Sequence, residues 1–78
     1  MAHAFVLVRT AAGESAAVHE AAGAVDGVSE AHVVAGPWDI VLEVAADEVN
    51  DLLDVVATDV GHLDAVNDTR TYVSLESR

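Results

Sequence analysis

The residues best suited to recognition chemistry are the tetrad Gly36-Pro37-Trp38-Asp39, set between two runs of strand formers, Glu30 to Ala35 and Ile40 to Val44. Glycine permits positive φ and proline fixes φ near that of a turn corner, so the pair marks the tip of a hairpin. Trp38 and Asp39 are not required by a turn. The chain's single tryptophan, placed beside a carboxylate, gives this turn both an apolar plate and an anion. If the protein binds a small molecule, this hairpin is the expected place.

Other chemistry-bearing residues read more simply. His3, His19, His32 and His62 show no close ligand spacing on one helix and read as surface histidines rather than a metal centre. Asp47, Glu48, Asp51 and Asp54 line the polar side of a helix and read as a solvated face. Arg70 is expected to pair with a strand neighbour such as Glu43, with anion recognition as the alternative, and Tyr72 is expected in the sheet or an interface. The sequence has no Ser/His/Asp arrangement on an elbow motif, no phosphate loop and no cysteine nucleophile. It therefore offers no catalytic constellation, metal set or cofactor motif.

The elements that would hold the turn follow from periodicity. Phe5 to Thr10 is a short, β-rich apolar run. A helix follows from about Glu14 to Ala24, with Ala17, Val18, Ala21, Ala22 and Val25 as a narrow apolar stripe, and Asp26-Gly27 closes it. Val28 to Ala35 and Ile40 to Ala45 read as the second and third strands. Asp47 can cap a second helix running to Val60, whose Val49, Leu52, Leu53, Val56 and Val60 share one face, and Gly61 ends it. Val66 to Leu75 is the last strand, with Thr69, Thr71, Val73 and Leu75 on one side and Arg70, Tyr72 and Ser74 on the other.

The order is βαββαβ. A weak internal repeat supports it, since Val25-Asp26-Gly27-Val28 matches Leu63-Asp64-Ala65-Val66 and Phe5-Val6-Leu7 matches Ile40-Val41-Leu42. Two βαβ halves predict an α+β, ferredoxin-like fold: a four-stranded antiparallel sheet with two helices on one face. Strands one and three are apolar at nearly every position, which is the pattern of strands covered on both sides. The helices cover one side. The open sheet face is expected to pack on a second copy in an isologous dimer.

Composition points the same way. A chain of 78 residues is one small domain, and one that is 53% hydrophobic, rich in Ala and Val and free of cysteine has self-association as its simplest source of extra burial. Fourteen acids against three arginines, with no lysine, give a net charge of −11, which disfavours direct contact with nucleic acid or an anionic membrane. Such a lysine-free acidic surface resembles that of proteins from a high-salt cytoplasm, where short screening lengths hide like-charge repulsion. With no leader pattern, no run of about 18 apolar residues and no cysteine, the chain is expected to be cytoplasmic.

The run from Asp26 to Val44 resembles the effector domain of the leucine-responsive/asparagine regulators (Lrp/AsnC), also called the RAM domain. The family pattern has a Gly-Val opening strand two, then Gly, two variable residues, Asp and an aliphatic strand. Asp26-Gly27-Val28 and Gly36-Pro37-Trp38-Asp39-Ile40 follow it, and Thr69-Arg70-Thr71 resembles its last strand. The similarity runs from about residue 4 to 75, and one domain is expected over residues 1–78. Asp64-Ala65 departs from the pattern, which commonly has Pro-Gly there. A stand-alone version, without the helix-turn-helix domain that normally precedes the module, is expected.

The resemblance implies a homo-oligomeric sensor, a dimer or a ring of dimers, that binds an amino acid or related small effector near subunit contacts. The site residues carried over are Gly36, Pro37, Trp38 and Asp39, with Thr69 and Thr71 from the last strand. The chemistry fits independently: backbone N–H groups at a glycine turn can receive a carboxylate, and Asp39 can receive an ammonium. Trp38 either covers the ligand's side chain or packs at a subunit contact. The implied partners are the effector, further copies of the chain and a DNA-binding Lrp/AsnC relative, with no cofactor. Two other readings stay open. One is an architectural oligomerisation module without ligand. The other is a small dimeric ferredoxin-like-barrel enzyme, with His32 or Tyr72 as acid or base and a pocket inside one subunit.

Overall fold

The computed structural model describes residues 1–75. It has the order β1 (Ala2–Thr10), α1 (Ser15–Gly23), β2 (Val28–Val33), β3 (Ile40–Ala46), α2 (Val49–Asp54, continued as a π-helical stretch over Val55–Val60) and β4 (Val66–Val73). The four strands form one antiparallel sheet in the order β2-β3-β1-β4. This is the expected ferredoxin-like topology. Among the described residues, no helix is long and apolar enough to cross a membrane.

Alternation along β1 and β3 sets the core. Ala4, Val6 and Val8 of β1 and Ile40, Leu42 and Val44 of β3 are fully buried, with Val18 and Ala22 of α1 and Leu52, Val56 and Val60 of the second helical segment packed over them. The buried stripes are narrower than the sequence suggests. Ala17 and Ala21 are exposed, and Val49 and Leu53 are each 45% exposed. With such small side chains, a stripe of every fourth residue is enough to cover the sheet. The polar residues Asp47, Glu48, Asp51 and Asp54 are exposed, as expected.

Four local outcomes differ from the sequence reading. The first helix ends at Gly23, before Val25, and Ala24 caps it. The second starts with Glu48, not Asp47, at the N-cap position and makes no side-chain cap bond. It ends in a wider turn closed by Gly61 N–H donating to Val56 C=O at 2.8 Å, five residues back. A Cβ on Gly61 would stand 3.0 Å from the Ala57 oxygen and 3.2 Å from that of Val56, so the glycine serves close approach and its φ of −65° is ordinary. The strands β2 and β4 end at Val33 and Val73, short of Ala35 and Leu75. β4 stops at Val73, opposite Ala4, with Ser74 N–H still reaching His3 C=O at 2.8 Å.

Before β4, Ala65 has φ of +69°, the left-handed region that favours glycine. Ala65 thus adopts a backbone angle that favours glycine although it carries a Cβ. Its carbonyl accepts from Ala11 N–H at 2.8 Å, which holds the strained residue in place.

Replacing Ala65 by Gly should raise stability by about 0.5–1 kcal/mol, because the left-handed cost of roughly 1–2 kcal/mol exceeds the added chain entropy of glycine. Leu52→Ala should lower stability by about 2–5 kcal/mol, since the side chain is fully buried. Thermal unfolding by circular dichroism measures both; for a domain of this size each kcal/mol moves Tm by about 4–8 °C.

Candidate functional site

The loop between β2 and β3 is built from the end of β1. Val34 N–H donates to Asp39 C=O at 2.9 Å and closes residues 34–39 into one loop. Asp39 N–H then donates to Val8 C=O at 3.0 Å. Its carboxylate oxygen Oδ2 accepts from Thr10 N–H at 2.8 Å and from the Thr10 hydroxyl at 3.3 Å. Thr10 in turn bonds the Ser15 hydroxyl at 3.2 Å, at the first turn of α1. One carboxylate oxygen thus ties the loop, the central strand and the first helix together. Asp39 Oδ2 therefore holds the loop in place, and among the described residues no bond is made by its Oδ1.

Gly36 has φ of +156°, and a Cβ built on it would meet no atom within 4 Å. The glycine answers to its backbone angle and leaves the main chain open on the outside of the loop. Pro37 follows, and its carbonyl accepts from Arg9 Nε–H at 3.3 Å.

Trp38 is half-buried, and two guanidinium groups converge on it. Arg9 Cζ lies 4.4 Å from the ring centroid and Arg70 Cζ 5.7 Å from it. Each such contact is worth about 0.5–1 kcal/mol at an exposed site. These are two of only three cationic side chains in a chain of net charge −11. The third, Arg78, lies outside the described residues. Arg9 also faces Asp68 at 3.8 Å, with both side chains about half exposed, a distance and exposure at which an ion pair contributes little. The result is a small positive spot against an indole at the base of the loop.

The sequence reading missed Arg9. Its signal was the register: β1 pairs with β4, so Arg9 and Arg70, two residues beyond direct opposition, share the open sheet face. Arg70 does not pair with Glu43. β1 lies between β3 and β4, with Leu7 opposite Arg70 and Phe5 opposite Glu43, so the two are about 10 Å or more apart across two strand spacings. Glu43 has His3 at 3.4 Å instead.

Thr69 and Thr71 stand opposite the buried Val8 and Val6, on the helix-covered face, and are half-buried. Trp38 packs with Arg9 and Arg70 on the other face. Within one subunit the structure therefore gathers Gly36, Pro37, Trp38 and Asp39 in one loop and keeps Thr69 and Thr71 apart from Trp38. Tyr72 lies on the open face at 53% exposure, beside β1 and three strands from His32. A shallow depression of about 430 Å³ lies between the end of α1 and the π-helical stretch, lined by Ala24, Val25, Asp26, Thr58 and Asp59. It contains none of the candidate site residues Gly36, Pro37, Trp38, Asp39, Thr69 and Thr71.

The chain is matched over residues 3–78 by the family profile described as the Lrp/AsnC ligand binding domain. No curated protein sequence matches it. Among solved structures, TTHA0845 from Thermus thermophilus is 33% identical, with a TM-score of 0.94, covering 100% of this chain and 98% of that one. AsnC from E. coli is 19% identical with a TM-score of 0.89, and the match covers 97% of this chain and 52% of AsnC. A transcriptional regulator from Neisseria meningitidis, NMB0573, solved as an L-Met complex, is 17% identical with a TM-score of 0.82, covering 96% of this chain and 50% of that one. This chain thus spans about half the length of those two regulators and nearly all of the Thermus protein. It belongs to the Lrp/AsnC ligand-binding domain family.

Proposed function

We propose that this chain is an amino-acid-sensing module that binds its effector at the 34–39 loop and reports the binding through its assembly state. The observation that carries this reading is the convergence of Arg9 and Arg70 on Trp38 beside a loop fastened by Asp39. A zwitterion needs donors for its carboxylate and an anion for its ammonium. Arg70 and the open main chain at Gly36 supply the first, and Asp39 Oδ1 supplies the second. Trp38 covers the ligand's apolar part. The regulator complexed with L-Met supports an amino acid as the effector class.

Thr69 and Thr71 join this ligand from a neighbouring subunit, because within one subunit they lie on the opposite sheet face from Trp38. The site is then completed only by association. The open face supports self-association, with Phe5 39% exposed and Leu7 and Val41 half-buried in an apolar strip across β1 and β3, beside Glu43. Sheet-to-sheet packing in an isologous dimer covers that strip, and contacts between dimers leave the loops to meet. Binding at such a contact shifts the assembly by the difference in affinity for the two states. The output passes to a DNA-binding relative with the same kind of domain. The surface charge argues against direct contact with nucleic acid, and the setting proposed is a saline cytoplasm.

Thermal melting in molar salt with each proteinogenic amino acid, with light scattering on the same samples, tests the reading. One or a few amino acids should raise Tm and change size together. At a hundredfold excess over Kd the stabilisation is about 2.7 kcal/mol. A flat panel at constant size would favour the architectural module.

Two sets of variants sharpen the test. Asp39→Asn keeps an oxygen for Thr10 but removes the charge, so the unliganded Tm should stay within a few degrees while effector affinity falls about tenfold or more. Leu7→Asp places a charge in the middle of the apolar strip and should convert the oligomer to monomer by sedimentation velocity, without loss of secondary structure.

A further inference from the structure

The β2 side of the open face, away from Arg9 and Arg70, carries a second cluster that the effector site does not use. Glu30 of β2 stands directly opposite Glu43 of β3. Like charges in direct opposition destabilise an antiparallel pair. No arginine among the described residues reaches either carboxylate; imidazoles do. His32 Nε2 is 3.1 Å from Glu30 Oε1, and His3 Nε2 is 3.4 Å from Glu43 Oε1. One ligand atom from each of Glu30, His32 and Glu43 lies within 4.8 Å of the others.

A register shift places them there. Val28 pairs with Val44 and Glu30 with Glu43, so one extra residue is inserted in β2 at Ser29. Without it, Ser29 would face Glu43, and Glu30 and His32 would point at the helices. The bulge turns both onto the open face while Ala31 keeps its place against the core.

We propose that Glu30, His32 and Glu43 form a binding site for one transition-metal dication of the zinc class, with His3 holding Glu43 from the outer side. One imidazole and two carboxylates make a three-ligand set with an open fourth position, as zinc accepts. Ca²⁺ and Mg²⁺ take more oxygen donors and no imidazole. Zinc bonds of about 2.0–2.2 Å put ligand atoms roughly 3.4 Å apart. Rotation of the exposed Glu30 and His32 side chains closes the present spacing, and the strand pairing holds the backbone. The dication neutralises the opposed carboxylates, and His3 fixes the orientation of one of them.

Titration of chelator-treated protein with Zn²⁺ by calorimetry tests this, with Co²⁺ absorption as a second readout. The expected result is one Zn²⁺ per chain at micromolar Kd or tighter. His32→Ala and Glu43→Gln should each weaken it at least tenfold, and His62→Ala should leave it unchanged. In the unsubstituted protein, Zn²⁺ should shift the ring resonances of His32 and His3 in NMR spectra and not those of His62. No saturable 1:1 binding, binding that His32→Ala and Glu43→Gln leave within twofold, or shifts at His62 without shifts at His32 would overturn the proposal.

Discussion

Everything at the candidate site depends on β1 being the inner strand that pairs with both β3 and β4. Its even-numbered residues, Ala4, Val6 and Val8, are locked into the core with Ile40, Leu42 and Val44. The odd-numbered residues must then face away from the helices. This puts Arg9 on the open face beside Arg70 of β4, and the loop after β2 brings Trp38 to them. A slip of one residue in β1 would bury Arg9 and expose the core strip, so the register is held by the cost of that exchange. The positive spot is thus fixed by the hydrophobic core, although none of its residues belongs to the core.

The end of β1 does a second job. Thr10 is the one described polar residue buried in the structure, and its N–H and hydroxyl both go to Asp39. Burying those donors without an acceptor would be unfavourable, so the fold needs an acceptor oxygen at position 39 whatever Asp39 does for a ligand. A conformational change in the 34–39 loop therefore reaches both the central strand and, through Ser15, the first helix. Binding in the loop and the arrangement of subunits can be coupled by that short chain of bonds.

Much of this was legible in the sequence. The switch between periods of two and near four gave the strand and helix order, and the double-sided apolar runs set strands one and three apart as covered on both faces, which are the two inner strands of the sheet. Gly36-Pro37-Trp38-Asp39 was legible as the turn between two strands, and it lies in the loop between β2 and β3. What escaped depends on neighbours far along the chain. Arg9 meets Trp38 across 29 residues, and Thr10 meets Asp39 across the same span, so no local pattern announces either. Arg70 faces Trp38 instead of Glu43 because a strand intervenes. The bulge at Ser29 has no turn residue to mark it, and the wide last turn of the second helix follows from how closely Gly61 can approach Val56 and Ala57. Ala65 keeps a left-handed backbone without the glycine that usually marks it.

The central claim is that an effector binds against Trp38, and the chain's single tryptophan makes that directly observable. Titrating each proteinogenic amino acid into the protein in molar salt while recording Trp38 emission isolates the loop from every other part of the molecule. The account predicts a saturable change for one or a few amino acids, with a collisional quencher losing access to the ring as binding proceeds. Emission and quenching unchanged across the whole panel, at concentrations well into the millimolar range, would contradict it.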